Sequence, residues 1–488
     1  MNFKIQRKNL GNLVTHKKGF AFKSKDYTPT GVPVVRVSNF TWDSISTEDL
    51  RFVGNETANS NKVVSLKKYD VIIATVGSWP QNPASIVGKV VRVPQELSGS
   101  LLNQNTVRLR VISDNIIDQR YLYIALKNNE FSDYLISKAQ GSANQASITL
   151  SDIFSYDIPW GSSLQRKFIV DIIDSINDKI IINNHINRTL EQMAQSLFKS
   201  WFVDFEPVKA KIAVLEAGGT QEDATLAAMT AISGKDADAM VVFEHDHSEQ
   251  YAELKATAEL FPSAMQDSEL GEIPKGWETP AVQDVANTVK GKSYKSTELD
   301  CSKTALVTLK SFNRGGGYRL DGLKEYTGKY KPDQEVFAGD LIIAYTDVTQ
   351  AAEVIGKPAM VISDIRYEHL VISLDVAVVR PFNDCLKYYL YGVARTEQFQ
   401  QHTNSHSTGT TVLHLSKNAV PSYKFILANK GLVNIYARHA KSIFSKVNTA
   451  IEENKYLSEL RDILLPKLLS GEITLPEAER AVSEAKNV

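Results

Sequence analysis

"LEQMAQSLFKSWFVDFEP", residues 190–207, spaces its apolar side chains as a helix does and carries Phe198, Trp201, Phe202 and Phe205 close together. That is a large aromatic surface for the end of one helix. A similar stretch, "LSELRDILLPKLLSGEI", starts at Leu457, 267 positions later. Working back from the first stretch, steps of three and four join Ile169, Ile173, Ile176, Ile180, Asn183, Asn187, Leu190, Ala194, Leu197 and Trp201. This is a heptad seam, and it predicts one long helix. Forty residues of helix span roughly 60 Å. The same offset leads to Tyr436, Ala440, Ile443, Val447, Ala450, Asn454, Leu457, Arg461, Leu464 and Leu468. This second seam is rougher, with Arg461 at a seam position, and Pro466 is expected to kink or end the helix.

Other short matches recur at nearly the same offset. "VVRVSNF" (34–40) aligns with "LVTLKSF" (306–312), "YDVIIAT" (69–75) with "GDLIIAY" (339–345), and "IVGK" (86–89) with "VIGK" (354–357). Four matches in one order indicate a duplicated domain, far longer than a solenoid repeat. Each half opens with short β-branched runs bounded by Gly, Pro, Asn and Asp, and closes with a long helix. The expected fold class is α+β: two tandem, pseudo-repeated, strand-rich domains separated by two long antiparallel coiled-coil helices. The expected segments are residues 1–160, a first strand-rich domain; 161–206, the central helix; 207–277, an acidic connector carrying some helix; 278–428, the second domain; and 429–488, the distal helix and tail. An antiparallel pair would put the two domains at opposite ends of a rod. Asn187 and Asn454, repeat equivalents, would then face each other near a pseudo-two-fold axis and set the register; the alternative leaves both exposed.

The chain of 488 residues is 43% apolar and 23% charged, as soluble globular proteins are. No run of 18 apolar residues suggests a membrane span, and the first residues lack a signal-peptide core. Cys301 and Cys385 are the only cysteines, too few for a zinc framework and expected to stay reduced in a cytosol. The net charge of −1 hides an asymmetry: residues 1–160 hold 19 Lys and Arg against 13 Asp and Glu, and residues 206–277 hold 5 against 14. Residues 278–428 nearly balance, at 17 against 16.

A search for catalytic constellations comes back empty. "GKS" at 291–293 lacks the P-loop's first glycine, since position 286 is Ala. No two prolines are adjacent, which removes the Pro-Pro-aromatic loop of amino-group DNA methyltransferases. "PDQE" (332–335) lacks a following acidic-x-Lys, and no Gly-x-Ser-x-Gly or His-Glu-x-x-His occurs. "FNRGGGYR" (312–319) reads either as a phosphate cradle or as a glycine-rich hairpin turn. His245, Asp246 and His247 read as a solvated turn rather than a metal site. Two diverged copies of one domain, with no catalytic set, point to recognition of a target with two unlike halves.

"SLFKSWFVDFEPVKAK" (196–211), "FPSAMQDSELGEIPKGW" (261–277) and "LLPKLLSGEI" (464–473), with the two-fold layout of the whole chain, resemble the specificity subunits of type I restriction-modification enzymes. The resemblance implies that each strand-rich domain is a target recognition domain reading half of a bipartite DNA site, with the helices as spacer. It implies double-stranded DNA and two methyltransferase (modification) subunits as partners, with restriction/translocase subunits added. The complex would use S-adenosylmethionine, ATP and Mg, none of them held by this chain, and would work in a bacterial or archaeal cytoplasm. Each half is expected to anchor its own domain through its aromatic or apolar helix end. Phe198, Trp201, Phe202, Leu464 and Leu468 are the candidate partner-binding residues, with a core role as the alternative for the aromatic ones.

Reading bases calls for Arg or Lys toward guanine and Asn or Gln toward adenine. "SKAQGSANQAS" (137–147) offers Gln140, Ser142, Asn144 and Gln145, and its counterpart "HTNSHSTGTT" (402–411) offers Asn404, His406 and Thr408. After the repeated strands come Arg36, Ser38 and Asn39 in one half, and Thr308, Lys310 and Ser311 with Arg314 in the other. "TVGSWPQN" (75–82), with Ser78 and Gln81, matches "YTDVTQAA" (345–352), with Thr346 and Gln350, both loops that follow a buried strand. Each could equally be plain polar surface. Two rival classes stay open: a non-DNA coiled-coil scaffold with two partner-binding domains, and an enzyme with an unrecognised site.

Overall fold

The computed structural model describes residues 5–41, 44–47, 49–79, 87–142, 145–348, 352–409 and 412–473. The chain divides into one unit of residues 1–182 and 453–488 and another of residues 183–452. Each long helix contributes to both.

In the first unit "VIIA", Val71–Ala74, is buried on both faces. Alternate side chains of a strand point to opposite sides. Accordingly Val71 and Ile73 enter one core, with the helices, while Ile72 and Ala74 enter another, beneath a second sheet. The first sheet is antiparallel, in the order Val14–Lys18, Thr106–Val111, Val71–Ala74, Val90–Arg92. The second runs Tyr27–Thr28, Arg51–Val53, Val32–Val35, Leu101–Leu102, and its last pair is parallel. Arg110, on a strand otherwise feeding the core, is held by Asp70 at 2.5 and 2.6 Å.

The second unit repeats this plan. Its first sheet runs Ala286–Lys290, Val376–Pro381, Leu341–Ala344, Pro358–Met360. Leu341 and Ile343 face one core, Ile342 and Ala344 the other. A parallel pair again sits in the second sheet, between Thr304–Val307 and His369–Ile372. The duplication seen in the sequence is therefore a duplication of fold.

The first long helix spans Ser163–Phe202 and the second Lys430–Ser470, 40 and 41 residues. Every seam position named above is buried or half-buried, Asn183 and Asn187 included. In the first unit the helices run antiparallel: Arg461 reaches Asn177 at 3.1 Å, and Lys179 reaches Glu453 at 3.3 Å. Pro466 does not end the helix. It lies four residues from the terminus, where the missing N–H costs a single bond and its ring side is exposed to water. The end comes at Gly471, at φ 76°, with Glu472 N–H donating to the Lys467 carbonyl at 3.0 Å in a left-handed cap.

One expectation needs correction. The helix ends do not anchor their own halves. Phe198, Trp201 and Phe202 of the first helix enter the core of the second strand-rich domain, beside Trp277, Tyr389 and Tyr436. Leu464 and Leu468 of the second helix enter the core of the first domain. The connector carries helix and closes on a small core of its own. Helices Glu206–Glu216, Gln221–Ser233, Ala237–Asp246 and Ser248–Glu259 precede a hairpin of Met265–Ser268 with Gly271–Pro274. Ala228, Met229, Met240 and Ala258 form a small core there. Lys211 is buried among them, and its ammonium donates to the Ala258 and Phe261 carbonyls at 2.9 and 2.7 Å.

Candidate nucleic-acid interface

Strand Val71–Ala74 continues past one residue into Val76–Gly77, which leaves the sheet and pairs instead with Gln145–Ser147; that strand pairs with Gln140–Ser142. The register sets Gln140 opposite Ser147 and Ser142 opposite Gln145, with Gly141 opposite Ala146 between them. Period-two alternation then gives this three-stranded ribbon one polar and one apolar face. Ala146 is fully buried and pins the ribbon to the core, while Gln140, Ser142 and Gln145 stand exposed. Gly141 is required here: at φ 154°, a Cβ would come 2.0 Å from the Gln145 carbonyl oxygen. Trp79 Nε1 donates to the Ser142 carbonyl at 2.8 Å and braces the hairpin.

The second domain builds the equivalent ribbon from Thr346–Asp347, Leu413–Leu415 and Ser407–Thr408. Thr346 and Thr408 both lie opposite His414, so the three share a face. Thr408 and His414 are exposed; Thr346 is buried, with its hydroxyl 3.4 Å from His414 Nδ1. Asp347 on the other face accepts from the amides of Val354 and Ile355 at 2.7 and 3.1 Å. The ribbon follows helix Glu397–Ser405, which leaves Asn404 exposed. His402 and His406 stack there, with ring centroids 4.1 Å apart. His406 Nδ1 lies 2.8 Å from the His402 carbonyl; a carbonyl only accepts, so Nδ1 carries the proton and Nε2 is left as an acceptor or, when charged, a second donor. Burial holds the His402 imidazole below its ordinary pKa, the nearby His406 adds to this, and the Ala419 carbonyl opposes it.

The loops picked out separately in the sequence thus converge in each domain. Other candidates serve the fold. Asn39 is buried and accepts the Arg36 amide at 3.0 Å, while Arg36 donates to the Asp49 carbonyl at 3.0 Å. Thr308 and Ser311 lock the equivalent turn, with Thr308 N–H donating to the Ser311 hydroxyl at 3.2 Å. Those turns leave Ser38 and Lys310 exposed. Ser78 is buried. Arg314 is exposed and paired with Glu353 at 3.2 Å. Its glycine run forms a hairpin turn: the amides of Gly315, Gly316 and Gly317 are taken by the carbonyls of Glu353, Asn313 and Pro358, so they cradle no phosphate. Gln81, Asn144 and Gln350 lie outside the described residues. Phe198, Trp201, Phe202, Leu464 and Leu468 are 2–5% exposed, and the two cores use their surface.

Sequence reasoning missed Trp79 and His414. Trp79 adjoins Ser78 and His414 lies six residues past Thr408, and only strand pairing and the Trp79 hydrogen bond tie them to the ribbons. Among the described residues no group of three or more His, Cys, Asp or Glu side chains is placed to hold a metal, and no helix is long and apolar enough to cross a membrane.

Residues 3–192 match the family described as type I restriction modification DNA specificity domain. Over 369 residues, 74% of this chain and 78% of the relative, the chain is 30% identical to the type I restriction enzyme HindI specificity subunit of Haemophilus influenzae. It is 21% identical over 377 residues, 75% of this chain and 71% of the relative, to the MjaIX specificity subunit of Methanocaldococcus jannaschii. The crystal structure of the type I S subunit from M. genitalium aligns over 97% of this chain and 98% of that one, with a TM-score of 0.46 and 13% identity. The 30% identity to the HindI specificity subunit over most of both chains, with the specificity-domain match, shows that the chain belongs to the family of type I restriction enzyme specificity subunits.

Proposed function

We propose that the chain binds double-stranded DNA at a bipartite site, reading one half with each recognition domain. What supports this is the convergence of the chosen loops at equivalent ribbons: Gln140, Ser142 and Gln145 on the ribbon of one domain, and in the other Thr408 on the ribbon, opposite His414, with Asn404 and His406 at the helix end just before it. Amide, hydroxyl and imidazole groups are the side chains that discriminate base edges, and a two-stranded ribbon fits the major groove. The chain itself is non-catalytic. S-adenosylmethionine, ATP and Mg serve the methyltransferase and restriction/translocase subunits, in a bacterial or archaeal cytoplasm.

The two modification subunits dock on helix surface that the cores leave open. Ile186 and Met193, one heptad apart on the first long helix, are 46% and 56% exposed. Ile186→Lys with Met193→Glu should abolish capture of the modification subunit while the circular dichroism spectrum is kept; unchanged assembly refutes this placement. The DNA reading is tested by measuring duplex affinity of the full chain against salt. A steep fall is expected, and a salt-insensitive or absent interaction would overturn it.

A further inference from the structure

The second recognition domain is almost neutral in bulk, yet two of its lysines flank the ribbon. Lys290 ends the strand Ala286–Lys290, and its ammonium lies 4.6 Å from the ring centroid of Tyr345, the residue just before ribbon strand Thr346–Asp347. Lys417 follows the ribbon's middle strand, Leu413–Leu415, by two residues and is exposed. Neither lysine forms an ion pair among the described residues. A neutral ring holds an ammonium in place without cancelling its charge. Burial, and next the charge of Lys417, hold the Lys290 ammonium below the ordinary lysine pKa. Leu415 N–H donates to the Tyr345 carbonyl at 2.8 Å, which brings the chain leading to Lys417 alongside the residue that Lys290 covers, and two uncompensated cations so placed are what an anion relieves.

The first domain provides a comparison at the same place. Lys18–Gly19 and Lys290–Gly291 are repeat equivalents, 272 positions apart. Both glycines press on backbone: a Cβ would lie 1.8 Å from the Asn103 carbonyl oxygen in one and 2.2 Å from those of Ile372 and Ser373 in the other. The tight passage fixes where each lysine emerges. Lys18 lines a cavity of about 300 Å³ beside ribbon residue Val76, with Asn105 and Leu150 on its wall. Leu150 is the repeat equivalent of Lys417, 267 positions away. At these two equivalent positions the first domain, net positive in sequence, has one lysine and the second has two.

We infer that Lys290 and Lys417 form a phosphate-contact site of the second recognition domain, taking the DNA backbone beside the ribbon. This rests on the reading of the ribbons as DNA contacts. It explains how a domain without bulk positive charge grips a polyanion. Phosphate contacts position a protein without reading sequence, so the pair should act alike on every duplex.

The test measures affinity of the full chain for mixed-sequence duplexes across a salt series. Each phosphate contact adds about 0.9 to the slope of log K against log salt. Lys290→Met with Lys417→Leu should therefore flatten that slope by about 1.8, equally on all duplexes, while Lys417→Arg keeps it. Thermal melting confirms that the variants fold. A wild-type chain that binds steeply beside a double variant of unchanged slope overturns the site but not the DNA reading. A wild-type chain without salt-dependent binding overturns both. Inorganic phosphate that shifts the lysine resonances at constant ionic strength, with the duplex slope unchanged in the variant, would assign the pair to a free anion instead and also overturn the proposal.

Discussion

Arg92 Nη1 donates to the buried carboxylate of Asp174 across 2.8 Å, joining the strand Val90–Arg92 to the first long helix. Arg120 takes the other carboxylate oxygen at 2.6 Å. Among the described residues Asp174 is thus the acidic partner shared by two arginines, and the helix carrying it also enters the first domain's core through Ile173 and Ile176. Removing one partner of a buried pair leaves uncompensated charge and costs about 3–5 kcal/mol. Asp174→Ala should therefore lower the unfolding free energy of the first unit by about 3 kcal/mol, with Asp174→Asn losing less. Urea denaturation followed at Trp79 and Trp160 reads this, and a change below about 1 kcal/mol would refute the clamp.

Gly392 and Phe198 form the matching attachment in the second unit, by packing instead of charge. A Cβ on Gly392 would sit 2.3 Å from Phe198 Cδ2. The helix Leu386–Ala394 can approach the first long helix only without that atom. Overpacking of a dense core costs roughly 1–3 kcal/mol. Gly392→Ala should destabilise by that amount and Phe198→Leu should recover part of it, a coupling that a double-mutant cycle reads directly. Additive effects would show that the contact is not shared.

Base readers and turn locks should separate cleanly. Gln140→Ala and Gln145→Ala, on the exposed ribbon face, should relax recognition in one half-site by about 1–3 kcal/mol and leave the other half unchanged. Asn39→Ala should instead lower stability, because Asn39 is buried and satisfies the Arg36 amide. Mapping methylated adenines in cells carrying each variant distinguishes the two. Relaxed sequence preference from Asn39→Ala at unchanged stability would contradict this division.

His402 sets an acid limit on the second unit. His406 stacks on it and Tyr423 lies edge-on at 5.0 Å, while its Nε2 bonds the Ala419 carbonyl at 2.8 Å. Its folded pKa lies below the ordinary 6.5, mainly through burial. The unfolded chain therefore binds the proton more readily than the folded one. Stability is full above that value and falls as the pH drops below it toward the folded pKa. Urea midpoints should fall as the pH drops below about 6.5, and His402→Gln should flatten the fall. An acid limb unchanged in that variant would place its origin elsewhere, for example at His439, which burial and Arg438 also depress.

Periodicity alone was enough for the long helices. A heptad seam is a local pattern, and Ile169, Ile173, Ile176 and Leu457 are buried as their spacing predicts. The duplication was legible too, because corresponding strands keep their β-branched residues at a near-constant offset. Local patterns do not say which partner an apolar surface will meet. Phe198 and Leu464 read as ends that anchor their own halves, but long-range packing placed each in the other half's domain. The ribbons were invisible as ribbons: strands of two or three residues have no period to read, and Val76 meets Ser147 across 71 positions of chain. Lys417 was overlooked because in sequence it is one more surface lysine. The sequence by itself determined the repeat, the helices and the buried strands, since these follow from side-chain spacing along the backbone. Tertiary structure alone decided which loops converge, which helix end enters which core and which cations lie beside the ribbon, since those depend on pairings between residues far apart in the chain.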